Sequence, residues 1–96
     1  MNAAERFHVD QVARLRCCVG IRFSGCEGKE DVHHVAEGSG ARSWFAIAKL
    51  CQAHHVGPIG LHSGTKVFIR RFRPPGDSEY GMLVWTAEDL AKAALK

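Results

Sequence analysis

Asp31-Val32-His33-His34-Val35, a glycine-rich connection, then Leu50-Cys51-Gln52-Ala53-His54-His55 and Gly60-Leu61-His62 form the stretch on which the reading of this chain turns. Five of the six histidines and one of the four cysteines fall within residues 31–62. No helix or strand needs that many imidazoles for packing. Neutral imidazole and thiolate are the usual protein ligands of zinc and related metals. The stretch therefore predicts metal binding, at two sites, with at least one of them catalytic.

Working outward, Asp31 to Val35 reads as a short strand carrying the paired histidines, and Trp44 to Leu50, the most apolar run, as a second strand leading into Cys51. Residues 37–42 between them read as a flexible loop. Cys51 to Val56 begins a helix that Gly57-Pro58-Ile59-Gly60 must interrupt, so His55 and His62 need not share one regular helix. Upstream, Ala4 to about Arg16 is predicted to be a helix, with Val9, Val12, Ala13 and Leu15 on one side. Leu15, Cys17, Val19 and Ile21 then alternate with Arg16, Cys18, Gly20 and Arg22, which predicts a short strand before a turn-rich loop over Ser24 to Lys29. Downstream, Ser63 to Phe72 is helix-like in composition with Ser63 as N-cap, although Val67 and Ile69 leave a strand open. Arg73 to Asp77 breaks any regular element. Thr86-Ala87-Glu88-Asp89 has a capping-box shape, and a last helix is expected after it, with Leu90, Ala91 and Ala94 facing inward.

With 96 residues the chain is expected to form one domain over residues 1–96, with a thin core. A composition 46% apolar and 24% charged is neither that of a disordered tail nor that of a membrane protein. No apolar run approaches the roughly 20 residues of a spanning helix, and the first residues lack the apolar core of a secretory signal. The expected location is the cytoplasm, with no membrane partner. In that compartment cysteines more often hold metal than form disulfides. The formal net charge of +3 is a mild bias toward polyanions. Arg14, Arg16 and Arg22 flank the first cysteines, and Lys66, Arg70, Arg71 and Arg73 cluster after the last histidine. Both groups read either as solvated surface or, for the second, as phosphate contacts.

Cys17 or Cys18, Cys26, Cys51 and His54 can make a closed tetrahedral zinc site. Cys17 and Cys18 would point to opposite sides of a strand, and Cys17 is the preferred ligand with Cys18 as alternate. Structural zinc adds about 10–16 kcal/mol to the folding of finger peptides, comparable with the whole net stability of a domain, about 5–15 kcal/mol. His33, His34, His55 and His62 remain. Phosphodiester hydrolysis needs a base for water and a cation for the developing negative charge. An imidazole suits the first role, and a divalent metal on two or three histidines suits the second. Of His33 and His34, one can hold metal while the other faces a substrate.

At these residues the chain resembles the HNH family of ββα-metal nucleases, most closely the phage and prophage branch that includes Ref-type recombination nucleases. The resemblance runs from about Val9 to the end. It rests on Ala13-Arg14-Leu15-Arg16-Cys17, Val32-His33-His34-Val35, Leu50-Cys51-Gln52-Ala53-His54-His55 and Gly57-Pro58-Ile59-Gly60-Leu61-His62. It implies an α+β fold: a small ββα-metal core of two antiparallel strands and a helix around one catalytic metal, with flanking helices and a structural zinc knuckle. It assigns His34 as general base, His33 and His55 as ligands of a catalytic Mg²⁺, Mn²⁺, Zn²⁺ or Ni²⁺, and His62 as a further ligand or phosphate contact. Cys17, Cys26, Cys51 and His54 match the structural Zn²⁺ set. The implied activity is metal-dependent endonucleolytic cleavage of DNA in phage recombination or DNA processing, with a recombinase as a possible partner. The alternative is a zinc-stabilised nucleic-acid-binding module without catalysis, contacting phosphates through Arg70, Arg71 and Arg73. Two departures stand out. Gly20 lies where many members carry the second cysteine of a Cys-x-x-Cys knuckle, so Cys26 must supply that thiolate. The Asn or Asp that braces the family's loop has no counterpart between Ala41 and Lys49, where Ser43 is the nearest polar substitute.

Overall fold

A computed structural model of the chain describes residues 1–35 and 42–96. Apart from Arg42, the loop expected over residues 37–42 lies outside the described residues. The centre is a two-stranded antiparallel sheet of β1 (Glu30–His34) and β2 (Ile47–Cys51). Its register pairs Glu30 with Cys51, His33 with Ala48 and His34 with Ile47. Trp44 and Phe45, expected in the second strand, instead form the turn that leads into it. A two-stranded ribbon alone is marginal in water. Here it is held by what packs on it: Ile47, Ala48, Leu50 and Cys51 of β2 are fully buried beneath helices from both ends of the chain. The fold is α+β.

Helix α1 (Ala3–Ala13) opens with a reciprocal cap that the sequence pattern did not reveal. Asn2 Oδ1 accepts from Glu5 N–H at 2.8 Å, and Asn2 N–H donates to Glu5 Oε1 at 2.8 Å. Such a cap is worth about 1 kcal/mol.

The strand expected over residues 15–23 is a helix, α2 (Cys18–Phe23). Cys17 is its N-cap, with Sγ accepting from Gly20 N–H at 3.4 Å. That local bond closes a helical turn, which alternation over a few residues cannot oppose. The helix buries Cys18 and Val19 and leaves Ile21 half exposed, so the apparent period of two was coincidental. The chain then reverses through Ser24 and Gly25, both at positive φ.

Helix α3 (Gln52–His55) lasts a single turn. Gly57 ends it: a Cβ there would stand 2.5 Å from the Ala53 carbonyl oxygen, so only glycine lets the chain fold back on the turn it has just made. A 3-10 turn (Leu61–Ser63) follows, and His55 and His62 indeed sit on separate elements. Ser63 does not cap the next helix. Its Oγ donates to the Gly57 carbonyl at 2.6 Å, fastening the reversal, and Gly64 takes the N-cap position of α4 (Thr65–Phe72). Arg73 ends α4 in the left-handed region.

Helix α5 (Gly81–Ala94) begins earlier than its expected cap. Thr86 is interior and buried, its Oγ1 donating to the Met82 carbonyl at 2.7 Å. Met82, Trp85, Thr86 and Asp89 face inward; Leu90 is half-buried, and Ala91 and Ala94 are exposed, contrary to expectation. Arg22 decides this rotation. Far from being solvated surface, its guanidinium makes a bidentate pair with Asp89 at 2.9 and 3.0 Å, donates to the Trp85 and Cys18 carbonyls, and lies over the Trp85 ring. Asp89 is only 6% exposed. Burial of that carboxylate is tolerable because the planar guanidinium fork satisfies both of its oxygens. Among the described residues no helix is long and apolar enough to cross a membrane.

Arg22→Ala strands Asp89 in the interior and is expected to destabilise the fold by about 3 kcal/mol. Arg22→Met combined with Asp89→Leu should recover most of that loss. Urea unfolding of the two variants checks both numbers.

Candidate metal centres

The two ends of the sheet and the single turn of α3 bring two groups of donors together. In the first, Cys17 comes from the N-cap of α2, Cys26 from the loop before β1, Cys51 from the end of β2 and His54 from α3. The three Sγ atoms and the imidazole nitrogen all lie within 4.8 Å of one another. His54 Nδ1 is 3.5 Å from Cys17 Sγ, 3.8 Å from Cys26 Sγ and 3.2 Å from Cys51 Sγ. Zinc bonds of about 2.3 Å to sulfur and 2.0 Å to nitrogen place donors in this range. The four residues sit together as a structural zinc site requires. Cys18 is not among them. It is buried on the other side of α2, where burial pushes its thiol up to about 12.

Gly20 explains how Cys26 enters the cluster. A Cβ at Gly20 would fall at near-bonding distance from Cys26 Sγ. The sulfur thus occupies the volume that a side chain at position 20 would fill, and the knuckle closes from a distant loop. The thiols themselves respond to the crowding. Burial raises Cys17. Burial acts the same way on Cys51, but the backbone N–H groups of His54 and Glu27 outweigh it and its net shift is downward. Burial likewise raises Cys26, and a cation bound among the sulfurs would favour their thiolate forms.

In the second group, His33 comes from β1, His55 from α3 and His62 from the 3-10 turn. One ring nitrogen of each lies within 4.8 Å of the others. His55 Nε2 and His62 Nε2 are 2.9 Å apart. The ring of His33 stands 4.9 Å from that of His55 and 5.3 Å from that of His62, edge-on to both. His33 Nε2 is buried and has no hydrogen-bond partner among the described residues. A buried nitrogen without a partner is costly, so this atom fits a metal ligand better than a packing role. Burial pushes the His33 imidazole down to about 4, with help from the charges of His55, His62, His34 and Arg42. Burial, followed by His62, also lowers His55. Neutral rings with free lone pairs are what a metal needs.

His34 is the next residue on β1 and stands at the rim. Its ring packs edge-on against Trp44 at 4.4 Å. It lines the same hollow of about 190 Å³ as His33, His62, Arg42, Thr65 and Glu79. Of these, Arg42, Thr65, Trp44 and Glu79 were not identified from the sequence. They come from separate loops and helices, and no local spacing links them to the histidines. The expected phosphate contacts Lys66, Arg70, Arg71 and Arg73 are all exposed along α4 and its end, outside both donor groups. Arg71 leans over the Phe72 ring. Burial lowers His54, and the charge of Arg71 adds to it.

No family model matches the chain, and neither a curated protein nor a solved structure shows significant similarity to it.

Mass spectrometry of unchelated protein is expected to find two metal ions per chain, and His55→Ala is expected to retain one with the fold intact. Cys51→Ser, or a strong chelator, should abolish the cooperative thermal transition, because losing about 10 kcal/mol or more of zinc stabilisation exceeds the reserve of most small domains. His33 also makes a pH prediction for protein loaded with one equivalent of zinc. Its folded pKa of about 4 lies below the ordinary value of 6.5, so between these pH values the unfolded chain holds a proton there that the folded chain refuses. Stability from this position is therefore fully present above about pH 6.5 and falls as pH drops toward 4. Urea unfolding of wild type and His33→Gln should diverge in that window, the wild type losing stability more steeply.

Proposed function

We propose that this chain is a metal-dependent endonuclease of the HNH type that hydrolyses DNA phosphodiester bonds, in phage or prophage recombination or DNA processing. The observation that carries the reading is the convergence of His33, His55 and His62 around a buried, unpartnered His33 Nε2, with His34 beside them at the rim of an open hollow. The order β1, β2, α3, with ligands on the first strand and the helix, agrees with a ββα-metal core. The cysteine cluster, filled with Zn²⁺, serves as the brace that holds α3 to the sheet.

In this reading His33, His55 and His62 hold the catalytic divalent metal. Bound there, the metal supplies Lewis-acid charge to the phosphate and to the departing oxygen. His34 removes a proton from the water that attacks phosphorus, and its ring is held in orientation by Trp44. Burial, with the charges of His55, His62, His34 and Arg42, holds the His33 imidazole below its ordinary range, which suits a ligand. Arg42, at the mouth of the hollow, faces the phosphate. Lys66, Arg70, Arg71 and Arg73 contact phosphates farther along the strand.

A second reading, a zinc-stabilised binding module without catalysis, draws on Ser43. It stands where the family's bracing Asn or Asp would be sought, and its Oγ is spent on the Phe45 N–H at 3.1 Å within its own turn.

Plasmid nicking with Mg²⁺, Mn²⁺, Zn²⁺ or Ni²⁺ separates the two. The nuclease cuts, EDTA stops it, and His34→Ala lowers the rate about 10²–10⁴-fold. Equal cutting by His34→Ala removes His34 as the base. Absence of turnover with every metal, alongside salt-sensitive DNA binding, leaves the binding module.

A further inference from the structure

Besides the exposed basic residues of α4, the described surface carries a second cluster of cations, which the metal centres do not use. Arg14 and Arg16, just after α1, and Lys92 and Lys96, at the end of α5, converge around a hollow of about 400 Å³ with Ile21 in its wall. No residue of this hollow lines the histidine site. The end of each helix invites one basic residue, since a helix C-terminus carries about half a negative charge. Two such ends therefore account for about one unit of charge, against four cations. The acidic residues nearby do not make up the difference. Asp89 also lines the hollow, but both its oxygens are held by Arg22. Glu30 is 3.6 Å from Arg16 Nε, in a pair whose arginine is 82% exposed and therefore weak. Glu30 also accepts from the Cys17 N–H at 2.6 Å. The hollow thus keeps a surplus of positive charge in a chain whose whole net charge is only +3.

We propose that the hollow formed by Arg14, Arg16, Lys92 and Lys96 is a second phosphate-binding surface, which grips the nucleic-acid backbone away from the histidine site. Its occupant is double-stranded DNA, which rests on the nuclease reading above. Charge complementarity supports this occupant: duplex DNA carries one negative charge for about every 1.7 Å of its axis, and the hollow offers four cations that its own acidic residues leave largely unmatched. Four cations around a partly apolar hollow, without a fixed donor array, suit the backbone and carry no base preference. The surface supplies affinity and register for a chain too small to enclose its substrate.

The test measures equilibrium binding of a fluorescent 20-base-pair duplex by anisotropy, across a salt series, on zinc-loaded full-length protein. His34→Ala is the background, so that cutting is slowed about 10²–10⁴-fold during the measurement. Arg14→Ala, Lys92→Ala and Lys96→Ala are combined; Arg16 is left in place because its partner Glu30 braces Cys17. Zinc content and thermal unfolding confirm that the variant is folded. The expected result is a slope of log K against log salt shallower by about 0.9 for each phosphate that is no longer neutralised, about two to three units in all, and binding at least about tenfold weaker at low salt. Unchanged slope and affinity overturn the proposal. If Lys66→Ala, Arg70→Ala, Arg71→Ala and Arg73→Ala weaken binding while the triple variant does not, the hollow fails and the nuclease reading stands. Wild type that binds phosphatidylglycerol vesicles but not the duplex overturns the hollow as a DNA surface. Loss of plasmid nicking in His34→Ala, together with unaltered duplex binding by the triple variant, also leaves the catalytic assignment intact and removes only this surface.

Discussion

The turn from Gln52 to His55 is the joint on which the structure depends. Successive residues on a helix point about 100° apart. One turn therefore sends His54 into the thiol cluster and His55 toward β1. The first contact fixes the helix, and the second uses the position so fixed. Four residues make too few hydrogen bonds to form a helix on their own, and tertiary contacts hold this one, among them the bond from the Ala53 N–H to the Glu27 carbonyl at 3.1 Å. The donor cluster of Cys17, Cys26, Cys51 and His54 ties together the start of α2, the loop before β1, the end of β2 and α3 itself.

The remaining stability is distributed around that joint. β2 is the buried spine, packed by α1, α2 and α5; Val19 of α2, Phe68 of α4 and Met82 of α5 share its core cluster. The Arg22–Asp89 pair adds a polar tie between the N-terminal knuckle and the C-terminal helix. Its value lies in specificity of placement as much as in energy: removing either partner leaves a buried charge, so α5 has one rotation that satisfies Asp89. This is how a helix at the far end of the chain comes to brace the segment that delivers Cys17.

The histidine group has the opposite character. Its rings are half-buried or exposed, the His55 and His62 nitrogens crowd one another, and the hollow beside them opens to solvent. The crowded imidazoles of His55 and His62 gain little from each other beyond one shared hydrogen bond. Their arrangement makes physical sense if something cationic is meant to replace that hydrogen. The two clusters differ in solvent access: Cys17, Cys51 and His54 are buried and Cys26 is exposed, whereas the imidazole group borders an open hollow.

Much of this was legible along the chain because it is local. Donor residue types, the Cys51–His54 spacing, the pairing of Asp31–Val35 with the apolar run into Cys51, and the break at Gly57-Pro58 are set by side-chain chemistry and backbone sterics within a few residues. What the sequence could not settle is where separate segments meet. Cys17 and Cys18 are chemically equal in one dimension, and only the capping turn closed by Gly20 N–H turned Cys17 inward. The alternation over residues 15–23 looked like a strand because a period of two and a single helical turn differ little over so few positions. Asp89 read as a cap until Arg22 claimed it, and Arg22 read as solvated surface for want of Asp89. Arg42, Trp44 and Glu79 border the histidines only because the fold brings them there. By itself, then, the sequence determined the donor residue types and the short-range breaks. The tertiary structure decided which sulfur, which helix face and which arginine, because those choices depend on burial and charge pairing between segments that are distant in the chain.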